Sequence, residues 1–98
     1  MKKTIFAAVA LGLFSSASFA MQPPAKANTC IGCHGVDGNS VVPNFPKIAG
    51  QHAAYLEKAL KDYRDGFRRD DSMAAFARGL TDQEIKDLAE FYSKQTPK

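Results

Sequence analysis

The residues with chemical potential stand together at Cys30-Ile31-Gly32-Cys33-His34, and these are the only two cysteines of the chain. On a helical turn, positions i and i+3 share a face, so both sulfurs lie on one side. Two thiols at that spacing match the two vinyl groups along one edge of a haem. The imidazole that follows projects over the same porphyrin face, towards the iron, and the pattern is that of covalent haem attachment. Gly32 lets the backbone approach the ring with no side chain in the way. Three other chemistries use the same atoms. A Cys30–Cys33 disulfide suits an exported protein but closes only a tiny loop. A thioredoxin-like dithiol needs a βαβ context, and the chain offers no strands for one. A structural zinc site needs four ligands, a number that Cys30, Cys33, His34 and His52 together only just reach.

Haem iron bound by His34 leaves its other face to be filled. A thioether there favours the ferrous state and raises the reduction potential. Past residue 20 the chain holds two methionines. Met21 stands beside the flexible Pro23-Pro24 stretch. Met73 lies 39 residues beyond His34, between two helical segments, where the chain can return to the opposite face. A lone methionine ordinarily fills gaps in a core, but an iron ligand is wanted here, which favours Met73. His52, 18 residues after His34, is the competitor. It opens a predicted helix and reads more simply as a residue of the first turn or the surface.

Several elements must position these groups. Lys2 and Lys3, the uncharged run from Ile5 to Phe14, and the small residues Ser18 and Ala20 at −3 and −1 form a three-part secretory signal. That run is shorter than the roughly 20 apolar residues a membrane span needs, so a mature chain starting at Met21 is expected, with no membrane span after cleavage. Residues 1–20 contribute two lysines, so the formal charge of +3 falls to +1 in the mature chain. No basic block survives for nucleic acid. Hydrophobic content of 45% and charged content of 23% are those of a globular chain, not a disordered one. Of the 78 mature residues 31 are apolar, but ten of these are alanine. A core that thin calls for a staple or an embedded cofactor.

Pro23 and Pro24 precede a helix starting near Ala25. Residues 35–50 hold three glycines, two prolines and two asparagines and read as an irregular loop. Leu56, Ala59, Leu60, Tyr63 and Phe67 then recur at three- and four-residue spacing, predicting a helix over residues 51–65 with Gly66 as terminator. Residues 66–80 form a second connection with a helical turn around residues 73–77. Thr81 and Glu84 fit a capping box. It opens a last helix with Ile85, Leu88, Ala89 and Tyr92 on one face and Pro97 ending the pattern. The fold class is all-α: three or four short helices with long loops, the kind of loops that wrap something.

With these residues placed, the chain resembles the class I c-type cytochromes. It is most similar to the short single-haem bacterial type such as cytochrome c-553, or to one half of a dihaem cytochrome c4. The resemblance covers residues 25–95. It rests on Cys30-x-x-Cys33-His34-Gly35, on Asp37-Gly38-Asn39, on Pro46-Lys47-Ile48-Ala49-Gly50-Gln51, and on Tyr55-Leu56, Met73, Leu80 and the last helix through Tyr92. It implies one haem c joined by thioethers to Cys30 and Cys33, with His34 and Met73 as axial ligands. It further implies that the Pro46 carbonyl accepts the Nδ1–H of His34, which fixes the tautomer. Phe45, Ile48, Leu60 and Tyr63 are expected to line the haem, Tyr63 near a propionate or the methionine sulfur. Phe91 or Tyr92 is expected where the first and last helices cross, with Ile85 and Leu88 in the core. A second Cys-x-x-Cys-His segment is missing, so a two-haem function needs two chains.

The implied function is that of a periplasmic single-electron carrier and not an enzyme, because iron with both axial positions filled has no place for a substrate. Redox partners are expected: a quinol-oxidising complex upstream and a terminal oxidase or peroxidase downstream. The carrier itself would be a monomer or weak homodimer. The alternatives are a haem relay subunit of a larger oxidoreductase, and a haem sensor or peroxidase with an open sixth site. Replacing Cys30 or Cys33 with alanine is expected to weaken or abolish accumulation of haem-bearing protein, read from the optical spectrum of exported protein. A normal yield from the double variant contradicts the attachment.

Overall fold

The computed structural model describes residues 22–98, so the export signal expected over residues 1–20 and the start at Met21 lie outside the described residues. After Pro24, a 3-10 turn over Ala25–Thr29 runs into the short helix α1, Ile31–His34. An irregular stretch follows, then α2 (Ala53–Asp65), α3 (Asp71–Ala77) and α4 (Asp82–Ser93). The described residues contain no strand, and none of their helices is long and apolar enough to cross a membrane. The all-α expectation holds.

Helix α4 forms where the capping box places it. Thr81 Oγ1 accepts from the Glu84 amide at 3.1 Å, and Glu84 Oε1 accepts from the Thr81 amide at 3.0 Å. Two of the helix's orphan amides and the entry angle of the chain are thereby settled. Its apolar face buries Ile85, Leu88, Ala89, Phe91 and Tyr92. The Phe91 and Tyr92 rings meet edge to face with centroids 5.0 Å apart, an arrangement that aromatic quadrupoles favour. The N-terminal 3-10 turn packs on this helix and buries Ala27 in the same cluster. Helix α4 ends at Ser93, four residues before Pro97. Pro97 does not stop it; it packs against Gly50, where a Cβ would come within 2.5 Å of the proline Cγ.

Helix α2 packs on both α3 and α4. Gly66 closes it in the left-handed conformation, φ 88°, which glycine adopts without the steric cost of a Cβ. The turn that follows carries Phe67 out of the helical register: its amide bonds back to the Asp62 carbonyl at 2.8 Å and its side chain is 83% exposed. The periodicity that included Phe67 runs two residues past the helix it describes. Helix α3 is longer than the single turn expected around Met73, because Asp70 accepts from the Met73 amide at 2.9 Å and starts the helix at Asp71.

The stretch between α1 and α2 has no regular structure but is held at many points. Gly38 offers its carbonyl to the amides of Ile48 (2.8 Å) and Ala49 (3.1 Å), and Tyr92 receives the Gly50 amide at 2.9 Å. The C-terminal residues are tied to the same stretch. Asn39 donates to the Thr96 carbonyl at 3.0 Å and accepts from the Lys98 amide at 2.9 Å, while Lys98 Nζ lies 3.1 Å from Asp37. Hydrogen bonds from Asn39 and Lys98 hold the Asp37 carboxyl down at about 2. Gly38 sits at φ +84°, and a Cβ there would meet the Ala49 nitrogen at 2.9 Å and Tyr92 Cδ1 at 3.0 Å. Gly38→Ala is therefore expected to lower unfolding free energy by about 2 kcal/mol. Denaturant titration of the holoprotein checks this, and an unchanged midpoint refutes the close approach.

A haem cavity built on the Cys30–His34 turn

Helix α1 is a single turn, and its backbone sets the spacing of the attachment residues. The His34 amide donates to the Cys30 carbonyl and the Gly35 amide to the Ile31 carbonyl, each at 2.9 Å. Cys30 and Cys33 are not joined to each other and are both partly exposed. Burial pushes the Cys30 thiol above its ordinary range. His34 is 8% exposed, and its Nδ1–H donates to the Pro46 carbonyl at 2.8 Å. A carbonyl can only accept, so the proton sits on Nδ1 and the Nε2 lone pair is the one presented to a ligand.

This turn forms one side of a cavity of about 430 Å³, within the size range of small-molecule and cofactor sites, roughly 300–1,000 Å³. The eight residues singled out by the sequence, Cys30, Cys33, His34, Phe45, Pro46, Ile48, Tyr63 and Met73, all line it. Leu56 and Leu60 of α2, Leu80, and Leu88 and Tyr92 of α4 complete an apolar wall. Phe45 stands at the rim, 37% exposed. His52, the competing iron ligand, is not part of the lining; it is exposed at the start of α2. Among the described residues no three His, Cys, Asp or Glu side chains gather as metal ligands, so the four-ligand zinc arrangement does not assemble.

Three features of the lining were not legible in the sequence. Arg68 stacks its guanidinium 4.7 Å above the Tyr63 ring and donates to the Tyr55 hydroxyl at 3.1 Å. Tyr63 thus supports a cation at the cavity edge. Asp70 and Arg68 look in sequence like neighbouring charges that cancel, whereas Asp70 is the cap that places Met73 in the first turn of α3. The Tyr92 hydroxyl is buried beside Cys30, whose sulfur is its polar neighbour. Burial pushes that phenol well above its usual range. Two thiols, a tautomer-fixed imidazole, a thioether and an apolar wall around one cavity are the donor set that a covalently attached haem requires.

The sequence profile of the cytochrome c family matches residues 25–95. The chain belongs to the cytochrome c family. Cytochrome c-554(548) of Halomonas halodenitrificans is 45% identical over 73 residues, covering 71% of this chain and 88% of that protein. Cytochrome c4 of Pseudomonas aeruginosa is 44% identical over 84 residues, covering 86% of this chain and 42% of that one. Cytochrome c4 of Acidithiobacillus ferrooxidans superposes with a TM-score of 0.63 at 36% identity, over 74% of this chain and 40% of its own. The chain thus spans less than half the length of these cytochrome c4 relatives. The cytochrome subunit of sulfide dehydrogenase from Chlorobaculum tepidum is 40% identical over 70 residues, 71% of this chain and 63% of that protein. This cytochrome c carries one covalently attached haem c and is an electron-transfer protein, not an enzyme.

The cap on α3 makes a direct prediction. Asp70→Ala leaves the Met73 amide without its acceptor and is expected to cost about 1 kcal/mol of stability, with Asp70→Ser retaining most of it. Denaturant midpoints together with hydrogen exchange at the Met73 amide measure both. An alanine variant as stable and as protected as the parent shows that the cap contributes nothing.

Proposed function

We propose that this cytochrome is a periplasmic single-electron carrier in which Cys30 and Cys33 form the thioether bonds and His34 and Met73 bind the iron. The observation that carries the reading is that Met73, 39 residues from His34 in sequence, lines the same cavity as the Cys30–His34 turn. When bound, the haem supplies a one-electron ferric–ferrous couple. His34 would bind the iron through Nε2, which the Nδ1–H bond to the Pro46 carbonyl aims into the cavity and makes a stronger donor. Met73 offers a soft thioether, which favours the ferrous state and raises the potential. With His34 and Met73 both bound to it, the iron would offer no place for a substrate. Ile48, Leu56 and Leu60 line the cavity with apolar surface, which disfavours water beside the haem.

Export is supported by the lysines, apolar run and small residues of positions 1–20. Contact with partners would be small and transient, at the rim where Cys30, Cys33 and Phe45 are partly exposed. The partners of a free carrier are a quinol-oxidising complex as donor and a terminal oxidase or peroxidase as acceptor. A second reading, a relay subunit of a larger oxidoreductase, draws on relatives named as the cytochrome subunit of sulfide dehydrogenase and as the thiosulfate dehydrogenase electron acceptor. Stable copurification with a dehydrogenase favours that reading over the free carrier.

Met73→Ala in the exported holoprotein tests the ligation. The weak red-region band of ferric methionine–iron ligation is expected to vanish and the reduction potential to fall, while the thioether-linked haem stays attached. Persistence of that band in the variant overturns the assignment of Met73.

A further inference from the structure

Residues 66–80 carry Met73 on α3 and connect the end of α2 at Gly66 to the start of α4 at Thr81. One side chain bonds on both sides of that connection. Arg64, in the last turn of α2, donates from Nε and Nη2 to the two Asp65 carboxylate oxygens at 2.9 and 3.2 Å. Its Nη1 donates to Asp82 Oδ1 at 2.8 Å and to the Leu80 carbonyl at 3.2 Å. Asp65 is the last residue before the segment departs; Leu80 and Asp82 flank the point of return. Leu80 is itself buried and lines the haem cavity. The Arg64 side chain is 20% exposed against 75% for Asp82, and of its contacts the one to the Leu80 carbonyl is partly buried.

We infer that Arg64 is the positioning residue of the sixth ligand: by joining the two ends of residues 66–80 it holds Met73 and Leu80 against the haem. The inference rests on the ligation reading above. Loop closure is an entropic cost that the guanidinium meets at the base of the segment. A planar fork with fixed donor directions can reach two carboxylates and a carbonyl at once, which a lysine ammonium cannot reproduce. Asp70, Gly66 and the α2–α3 contact shape the segment internally; Arg64 alone among these spans its two ends.

The test is imidazole binding to the ferric holoprotein, since imidazole enters the sixth position only when the native ligand leaves. Arg64→Gln is expected to raise imidazole affinity about tenfold, with Arg64→Lys falling between it and the parent. Asp82→Asn is expected to move affinity in the same direction by less, and serves if Arg64→Gln does not accumulate. Ile85→Val, a core change outside the cavity lining, lowers the thermal midpoint and is expected to leave imidazole affinity at the parent value. Parent-like affinity in Arg64→Gln and Asp82→Asn overturns the inference, as does an equal rise in Ile85→Val. Met73→Ala separates the two claims. If it binds imidazole no better than the parent, the ligation reading fails; if it binds far better while the Arg64 and Asp82 variants do not, only the clamp fails.

Discussion

The 2.8 Å hydrogen bond from His34 Nδ1 to the Pro46 carbonyl is the constraint on which the remainder of this structure turns. It joins the four-residue helix that carries the attachment cysteines to a loop twelve residues away, and it decides which imidazole nitrogen faces the cavity. A histidine left to choose its tautomer would present a lone pair or a proton with similar ease. Here the backbone has removed the choice. That in turn requires Pro46 to be held still. Gly38 does this from beneath, through the Ile48 and Ala49 amides, and the C-terminal residues do it from outside, through Asn39 and Asp37.

The distribution of apolar side chains follows from the same requirement. Fully buried large side chains are few, Ile85 and Leu88, and both belong to α4. Leu56, Leu60 and Tyr63 of α2 and Ile48 of the loop line the cavity, while Val36, Val41 and Phe67 are exposed. A chain of this length has too little apolar surface for both a dense protein core and a cofactor site. The cofactor site takes the centre, and α4 with the N-terminal turn provides a small cluster beside it. Electron transfer benefits from the arrangement, because the groups around the haem are borne by elements cross-tied to the rest of the chain.

Much of this was readable from local spacing. The Cys30–His34 turn, the capping box at Thr81 and the Gly66 terminus all depend on residues within four positions of one another, and short-range geometry permits few alternatives. The limits of local reading are equally specific. Phe67 fits the apolar period of α2, but the left-handed Gly66 before it takes the chain out of the helix, so the side chain is exposed. Asp70 beside Arg68 and Arg69 looks like charge balance, whereas its carboxylate is spent on the Met73 amide. Pro97 looks like a helix stop, whereas it fills the space left by the missing side chain of Gly50.

The order of residues by itself determined the covalent chemistry, the helical class and the family, because the groups concerned are adjacent or one turn apart. Tertiary structure alone decided that Met73 and not His52 shares the cavity with His34, that Arg68 donates to the Tyr55 hydroxyl, and that Arg64 reaches Leu80 and Asp82. Those relations connect residues 13 to 39 positions apart. No periodicity encodes such distances; they exist only once α2, α3 and α4 have packed.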